Sequence, residues 1–160
     1  MEIRIRPANE ADTEAVNRLR EQVNALHVAG RPDIFKPGFG EALQNHLAVY
    51  FDSETNGVLV AEAGDQIVGF AMVDYIDRPA SDYNLPRRFY HVAEFGVDPA
   101  WRRRGMASAL VQSMQADARA RGFHKIELDV WAFNEGALAF YEAMGFQTYR
   151  RFMELPLSDE

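Results

Sequence analysis

Charged and apolar side chains alternate over residues 2–6 (Glu2, Ile3, Arg4, Ile5, Arg6), the period of a strand with one buried face. Pro7-Ala8-Asn9 interrupts it. Asn9, with Asp12 three residues later, reads as the cap of a helix, and Ala15, Leu19, Val23 and Leu26 carry its apolar stripe to about His27. Gly30-Arg31-Pro32-Asp33 and Lys36-Pro37-Gly38 bracket an irregular loop. A short second helix is expected near residues 40–51. Residues 57–63 and 66–75 are β-rich runs separated by Gly64-Asp65, a hairpin signal. Residues 78–88, with Pro79 and Pro86, read as a polar connection. A strand over 89–97 ends at Asp98-Pro99.

The second half alternates helix and strand. Residues 104–121 predict a helix with Ala107, Leu110, Val111, Met114 and Ala118 on one face, stopped by Gly122 in a left-handed cap. Residues 125–131 read as a strand. Asn134 caps a helix whose apolar face is Ala137, Phe140, Tyr141 and Met144, and this helix stops at Gly145-Phe146. Residues 147–155 predict a last strand. Such an order implies a mixed α/β layer with helices on both faces of the sheet. No repeat and no linker divides the 160 residues, so one domain over 1–160 is expected.

Composition narrows the chemistry. The chain has no cysteine, which excludes disulfides, cysteine–zinc sites, iron–sulfur clusters and cysteine nucleophiles. No spaced set of His, Asp and Glu demands a metal. Charges at Glu2, Arg4 and Arg6 sit where a secretion signal needs an apolar run, and no window of about 18 apolar residues could span a membrane, so a cytoplasmic protein without a membrane partner is expected. A formal charge of −7 argues against a nucleic-acid partner. The charge is uneven: residues 101–125 hold six basic side chains (Arg102, Arg103, Arg104, Arg119, Arg121, Lys125) against Asp117. That stretch is either a solvated basic helix face or a site for a small anionic ligand.

The segment from Val97 to Ala107 favours the second reading: a strand ends, a basic turn follows, and a helix begins with Gly105 and Ala107. The first turn of a helix leaves about four N–H groups unpaired, its dipole favours negative charge, and arginines add charge-assisted bonds. The glycine spacing is that of neither a P-loop nor a dinucleotide fingerprint. Arg102-x-x-Gly105-x-Ala107 resembles the acetyl-CoA pyrophosphate loop of the GNAT N-acetyltransferase superfamily, with Ala107 where a second glycine is common. Phe95-Gly96-Val97-Asp98-Pro99, Asn134 with Ala137, Phe140 and Tyr141, and Met144-Gly145-Phe146 also stand where that family has similar residues, so the resemblance covers about residues 89–154.

The resemblance implies a central, mostly antiparallel twisted sheet with helices on both faces, splayed between the fourth and fifth strands. It implies an acyltransferase that moves the acetyl group of acetyl-CoA to a primary amine by direct attack in a ternary complex, with acetyl-CoA as cosubstrate and no metal. Pantetheine would lie in the splay against Phe95, Gly96 and Val97, the Val97 N–H polarising the acetyl carbonyl. Backbone amides of Arg102, Arg103, Arg104, Gly105, Met106, Ala107 and Ser108 would hold the pyrophosphate. Asn134 would be a helix cap, or a cap and a pantetheine contact, with Ala137 and Phe140 beside it. Tyr141 matches the tyrosine that protonates the leaving sulfur, or is a core residue. An aliphatic amine is mostly protonated at neutral pH and must lose a proton. Glu94 is the candidate proton acceptor, through water; it could instead bind the amine or pair with an arginine. His91 is the rival. His27, His46 and His124 lack a supporting pattern.

The acidic balance fits a small cationic amine as acceptor. A protein N-terminus or lysine, and a non-catalytic CoA-binding module, are the alternatives. The loop 29–39 would flank the acceptor, and a homodimer is a family expectation.

Overall fold

The computed structural model describes residues 2–158; Met1, at the start of the charged N-terminal run, lies outside them. The chain divides into two compact units, Met1–Asp129 and Val130–Glu160.

In the first unit, β1 (Ile3–Pro7), β2 (Asn56–Ala63), β3 (Gln66–Arg78), β4 (Arg87–Val97) and β5 (Ile126–Leu128) form one sheet in chain order. Neighbours pair antiparallel except β4 and β5, which run parallel. Helices α1 (Thr13–Gly30) and α2 (Glu41–His46) and a 3-10 turn (Leu47–Tyr50) follow β1; α3 (Met106–Ala120) connects β4 to β5. Val16 and Leu19 of α1, with Leu47 and Tyr50, pack against Val58, Val60, Phe70 and Met72 on one face of the sheet. Met106 and Leu110 of α3 pack against Ala61, Ala63 and Val68 on the other. The sheet is therefore covered on both faces, as the alternation of elements implied.

Local signals worked as expected at several joints. Asn9 caps a 3-10 turn leading into α1: its side chain accepts from the Ala11 N–H, and Asp12 accepts from the Asn9 N–H. Asp12 is then clamped by Arg6, which holds its carboxyl below the usual range against the opposing effect of burial. Gly64 turns the β2–β3 hairpin at φ 62°. The polar connection proved shorter than residues 78–88, because β3 runs to Arg78 and β4 starts at Arg87.

β4 carries one extra residue. Met72 pairs with Glu94 but Val73 pairs with Val92, so Ala93 bulges out of the ladder. β5 pairs with Tyr90, His91 and Val92 and stops there. The expected strand over 125–131 is thus only three residues long, because the bulge turns β4 away from it. Beyond Val92 no strand among the described residues pairs with that edge of β4. This is the expected splay between the fourth and fifth strands.

In the second unit, α4 (Glu135–Ala143) is capped by the Asn134 side chain on the Ala137 N–H. It ends at Gly145, φ 101°, where the Phe146 N–H bonds back to Tyr141. Residues 147–155 are not a strand, contrary to the sequence expectation. Their β-rich pattern supplies side chains but no ladder partner, and a strand exists only where its N–H and C=O groups are paired. Tyr149, Phe152, Met153 and Leu155 are exposed.

Gly96 shows why β4 needs a glycine after the bulge. A Cβ there would lie 2.6 Å from Val23 Cγ2 and 3.0 Å from Phe70 Cε1. Val23 is β-branched on a helix and has little rotamer freedom to yield. Gly96→Ala should therefore lower stability by about 1–3 kcal/mol, read as a fall in the urea midpoint with an unchanged slope.

Candidate active site

The site begins with the parity of β4. The Asp98 N–H donates to the Val68 carbonyl on β3 (2.8 Å), whereas the Tyr90 N–H donates to Lys125, on the β5 side (2.9 Å). Alternate amides in a strand point to opposite edges. Without Ala93, Tyr90 and Asp98 would point the same way; with it, the N–H groups of Phe95 and Val97 point to the open edge. Their side chains pack towards α3 with Met106 and Leu110. Gly96 belongs to the opposite face, under Val23.

The turn after β4 is fixed by Asp98, whose side chain caps the 3-10 turn Pro99–Trp101 through the Ala100 N–H and pairs with Arg18. The Ala100 bond first, then Arg18, hold its carboxyl below the usual range. Arg103 at φ 61° and Gly105 at φ 83° reverse the chain into α3. Arg102, Arg103, Arg104 and Gly105 are exposed. Arg104 stacks on Trp101 (4.8 Å). The space above Gly105 is open, with nothing within 4 Å of where a Cβ would stand. Gly105 supplies the carbonyl for the Ala109 N–H, so the amides of Met106, Ala107 and Ser108 sit in the first turn. This exposed turn therefore combines three arginines with first-turn amides at a helix start, and it follows on the open end of β4.

On the α1 face lies a polar constellation that the sequence did not reveal as a group. Arg20 is buried, 3% exposed, and grips Glu94 through Nε to Oε1 (3.0 Å) and Nη2 to Oε2 (3.1 Å). Its remaining nitrogen donates to Asn17 (2.8 Å) and the Leu43 carbonyl (2.7 Å), and its guanidinium lies over Phe39 (5.1 Å). Of the three roles open to Glu94, pairing with an arginine is therefore realised. Asp74, opposite His91 in the ladder, lies 3.1 Å from His91 Nδ1 and accepts from Asn56 (2.6 Å). Tyr50 also hydrogen-bonds Asp74; burial and then this bond push its phenol up. Burial opposes ionisation of Asp74, but bonds from His91, Tyr50 and Asn56 outweigh it and hold the carboxyl below its usual range. His27 stacks on Phe35 (5.0 Å); burial pushes its imidazole down, partly offset by the charge of Glu94. The loop after α1 thus does flank this face.

Strict alternation would put positions 91 and 94 on opposite faces. The Ala93 bulge puts them on the same one. Arg20, Asp74, Tyr50 and Asn56 were missed. An acid closing an apolar strand run (Asp74) and an arginine inside a helix's apolar stripe (Arg20) were the available signals.

In the second unit, Asn134 is the cap, Ala137 the capped residue, and Phe140 and Tyr141 follow on α4. The Tyr141 ring packs on Phe140 and Phe146 (both 5.6 Å), and burial pushes its hydroxyl up to about 12. Among the described residues no group of three or more His, Cys, Asp or Glu could hold a metal ion, and no helix is long and apolar enough to cross a membrane.

The model of the acetyltransferase (GNAT) family matches residues 21–146. The chain belongs to the GNAT acetyltransferase family. It is 33% identical over 148 residues, 92% of this chain and 89% of the relative, to acetyltransferase ECA0875 of Pectobacterium atrosepticum. It is 30% identical over 133 residues to mouse probable N-acetyltransferase family 8 member 5, and spans 56% of that protein's length. The crystal structure of a mutant BH1408 protein from Bacillus halodurans superposes with a TM-score of 0.92 at 29% identity, covering 97% of this chain and 99% of that one. An AAC(6')-Iy structure, in complex with a bisubstrate analogue of CoA and acetylneamine, shares the fold: TM-score 0.78, 18% identity, 99% of each chain. This chain's bulge, splay and basic turn thus sit within a GNAT fold.

His27 gives this GNAT chain a measurable pH dependence. Its folded-state imidazole is pushed below the ordinary value of 6.5, so the unfolded chain binds the proton first as pH falls. The urea midpoint should fall as pH drops from about 7 through 5, and His27→Phe should flatten that limb relative to wild type.

Proposed function

We propose that this protein is an acetyl-CoA-dependent N-acetyltransferase acting on a small cationic amine. The observation that carries the reading is the juxtaposition at the end of β4. The Val97 amide on the open edge leads into the exposed basic turn at Arg102–Gly105, and the Glu94 carboxylate stands on the α1 face three residues before it. A pantetheine arm is an extended amide chain, which an open strand edge fits. A pyrophosphate fits the amides of Gly105, Met106, Ala107 and Ser108 with Arg102, Arg103 and Arg104 around them. Gly96 keeps α1 close to this stretch, so its part is indirect.

Acetyl-CoA supplies the activated acyl carbon and the thiol leaving group. The residues do the rest. The Val97 N–H donates to the acetyl carbonyl oxygen and stabilises charge that develops there. Asn134, Ala137 and Phe140 take the pantetheine side on α4. Tyr141, whose raised pKa keeps its proton at neutral pH, donates to the departing sulfur. Each Glu94 oxygen accepts one bond from Arg20 and keeps a lone pair, enough to hold an ammonium N–H or a water. In this reading the chain acts in the cytoplasm as a homodimer, with 1–160 working as one acetyltransferase domain. The AAC(6')-Iy structure holds a bisubstrate analogue that joins CoA to acetylneamine, which supports a small cationic amine as the acceptor class.

The test is thiol release from acetyl-CoA across polyamines, amino acids, aminoglycosides, arylamines and short lysine or N-terminal peptides. Turnover with a small amine is expected. Turnover with peptides alone would move the acceptor to proteins, and acetyl-CoA binding without any turnover would make this a binding module. Tyr141→Phe should lower turnover with acetyl-CoA affinity unchanged; an unchanged rate removes Tyr141 as the acid.

Gly105 tests the cradle. Gly105→Ala carries the cost of a side chain at positive φ, about 1–2 kcal/mol, and should keep acetyl-CoA binding. Gly105→Glu carries the same cost plus a negative charge and should abolish it, read by calorimetry.

A further inference from the structure

Deprotonation of the amine needs a group with a free lone pair on the α1 face of β4. The structure offers two candidates there, and their surroundings differ. Both Glu94 oxygens are already engaged by a guanidinium with no other freedom: Arg20 is buried and its remaining nitrogen is spent on Asn17 and Leu43. Removing the Glu94 charge would strand that cation, which makes the pair a structural clamp between α1 and β4. His91 is held on one side only. Its Nδ1 meets Asp74, its side chain is 29% exposed, and among the described residues its Nε2 has no hydrogen-bond partner.

The tautomer follows from Asp74. An ionised carboxylate only accepts hydrogen bonds, so the proton between them resides on His91 Nδ1. In the neutral ring this leaves the lone pair on Nε2. Asp74 is itself positioned by Asn56 and Tyr50 from two other elements, so the imidazole is oriented by a built network rather than by one flexible partner. The other charged groups around the ring are Glu94 with Arg20, and Glu127, the ladder partner of His91 on β5, which is held by Arg87. His91 stands two residues before Ala93, where the β4 edge opens.

We infer that the His91–Asp74 pair is the proton-accepting device of this site, with His91 Nε2 taking the amine proton through a chain of waters that spans the five ladder steps between it and Val97, Asp74 positioning the ring, and Glu94 holding the ammonium. This rests on the acetyltransferase reading above. The substrate ammonium gives one proton to His91. Its freed lone pair forms the N–C bond to the thioester carbon as the C–S bond breaks. The second proton lost from nitrogen ends on sulfur, giving the free thiol, and the proton on His91 leaves to solvent.

The experiment combines kinetics with a measurement on the protein alone. His91→Ala should lower kcat about 100-fold or more, leave acetyl-CoA affinity unchanged, and recover at least tenfold on addition of free imidazole. His91→Gln should be equally slow, which guards against a packing defect in the alanine variant. In ligand-free protein, nitrogen-15 NMR should find His91 with its proton on Nδ1, and Asp74→Asn should alter that tautomer balance while lowering kcat. A wild-type rate in His91→Ala, failure of imidazole to rescue it, or a His91 proton found on Nε2 would overturn the assignment alone. A wild-type protein inactive on every amine would overturn the acetyltransferase reading, and this inference with it.

Discussion

One extra residue in the β3–β4 ladder sets the geometry on which the rest of this molecule depends. Ala93 shifts the parity of every position after it, and three consequences follow. The amides of Phe95 and Val97 turn to an edge that would otherwise show those of Glu94 and Gly96. β4 leaves β5 after Val92, which opens the gap. Glu94 joins His91 on the α1 face. A bulge inserts a residue at the cost of one ladder bond and a local twist, and the surrounding strands hold it in place: β3 pairs with β4 on both sides of the irregularity, from Arg78–Arg87 to Gly69–Val97.

The Arg20–Glu94 clamp is the second constraint. It ties α1 and the following loop, through Leu43 and Phe39, to the strand that carries the site. Gly96 lets α1 come close enough for that clamp to form, because a methyl group at this position would collide with Val23. The clamp, the close approach and the bulge lie within four residues of β4, so in the proposed function the acceptor side and the cofactor side share one rigid strand. Rigid placement of this kind is what a reaction between two bound substrates requires.

The basic turn was legible from sequence because it is local. Arg102, Gly105 and Ala107 act through backbone conformation and helix-start chemistry, which depend on neighbours in the chain. The same holds for Asn9, Gly64, Asn134 and Gly145, whose caps and turns the structure reproduces. The α1-face network was not legible. Arg20 and Glu94 are 74 residues apart in sequence, and Asp74 and His91 meet only through register. The strand expected over 147–155 failed for a related reason: its residues favour extended backbone, but whether a ladder forms depends on a partner that no local pattern names.

The sequence by itself determined most of the elements up to α4, the sheet-and-helix class, the basic turn and the family resemblance, since each rests on periodicity or short-range backbone chemistry. The tertiary structure alone decided which amides face the open edge, which carboxylate is clamped and which is paired with a histidine. A one-residue bulge reverses the face of every later side chain while leaving the hydrophobic pattern of the strand almost unchanged. Ala93 carries no mark in the sequence that sets it apart from an ordinary strand residue, and only pairing with β3 shows that it stands outside the ladder.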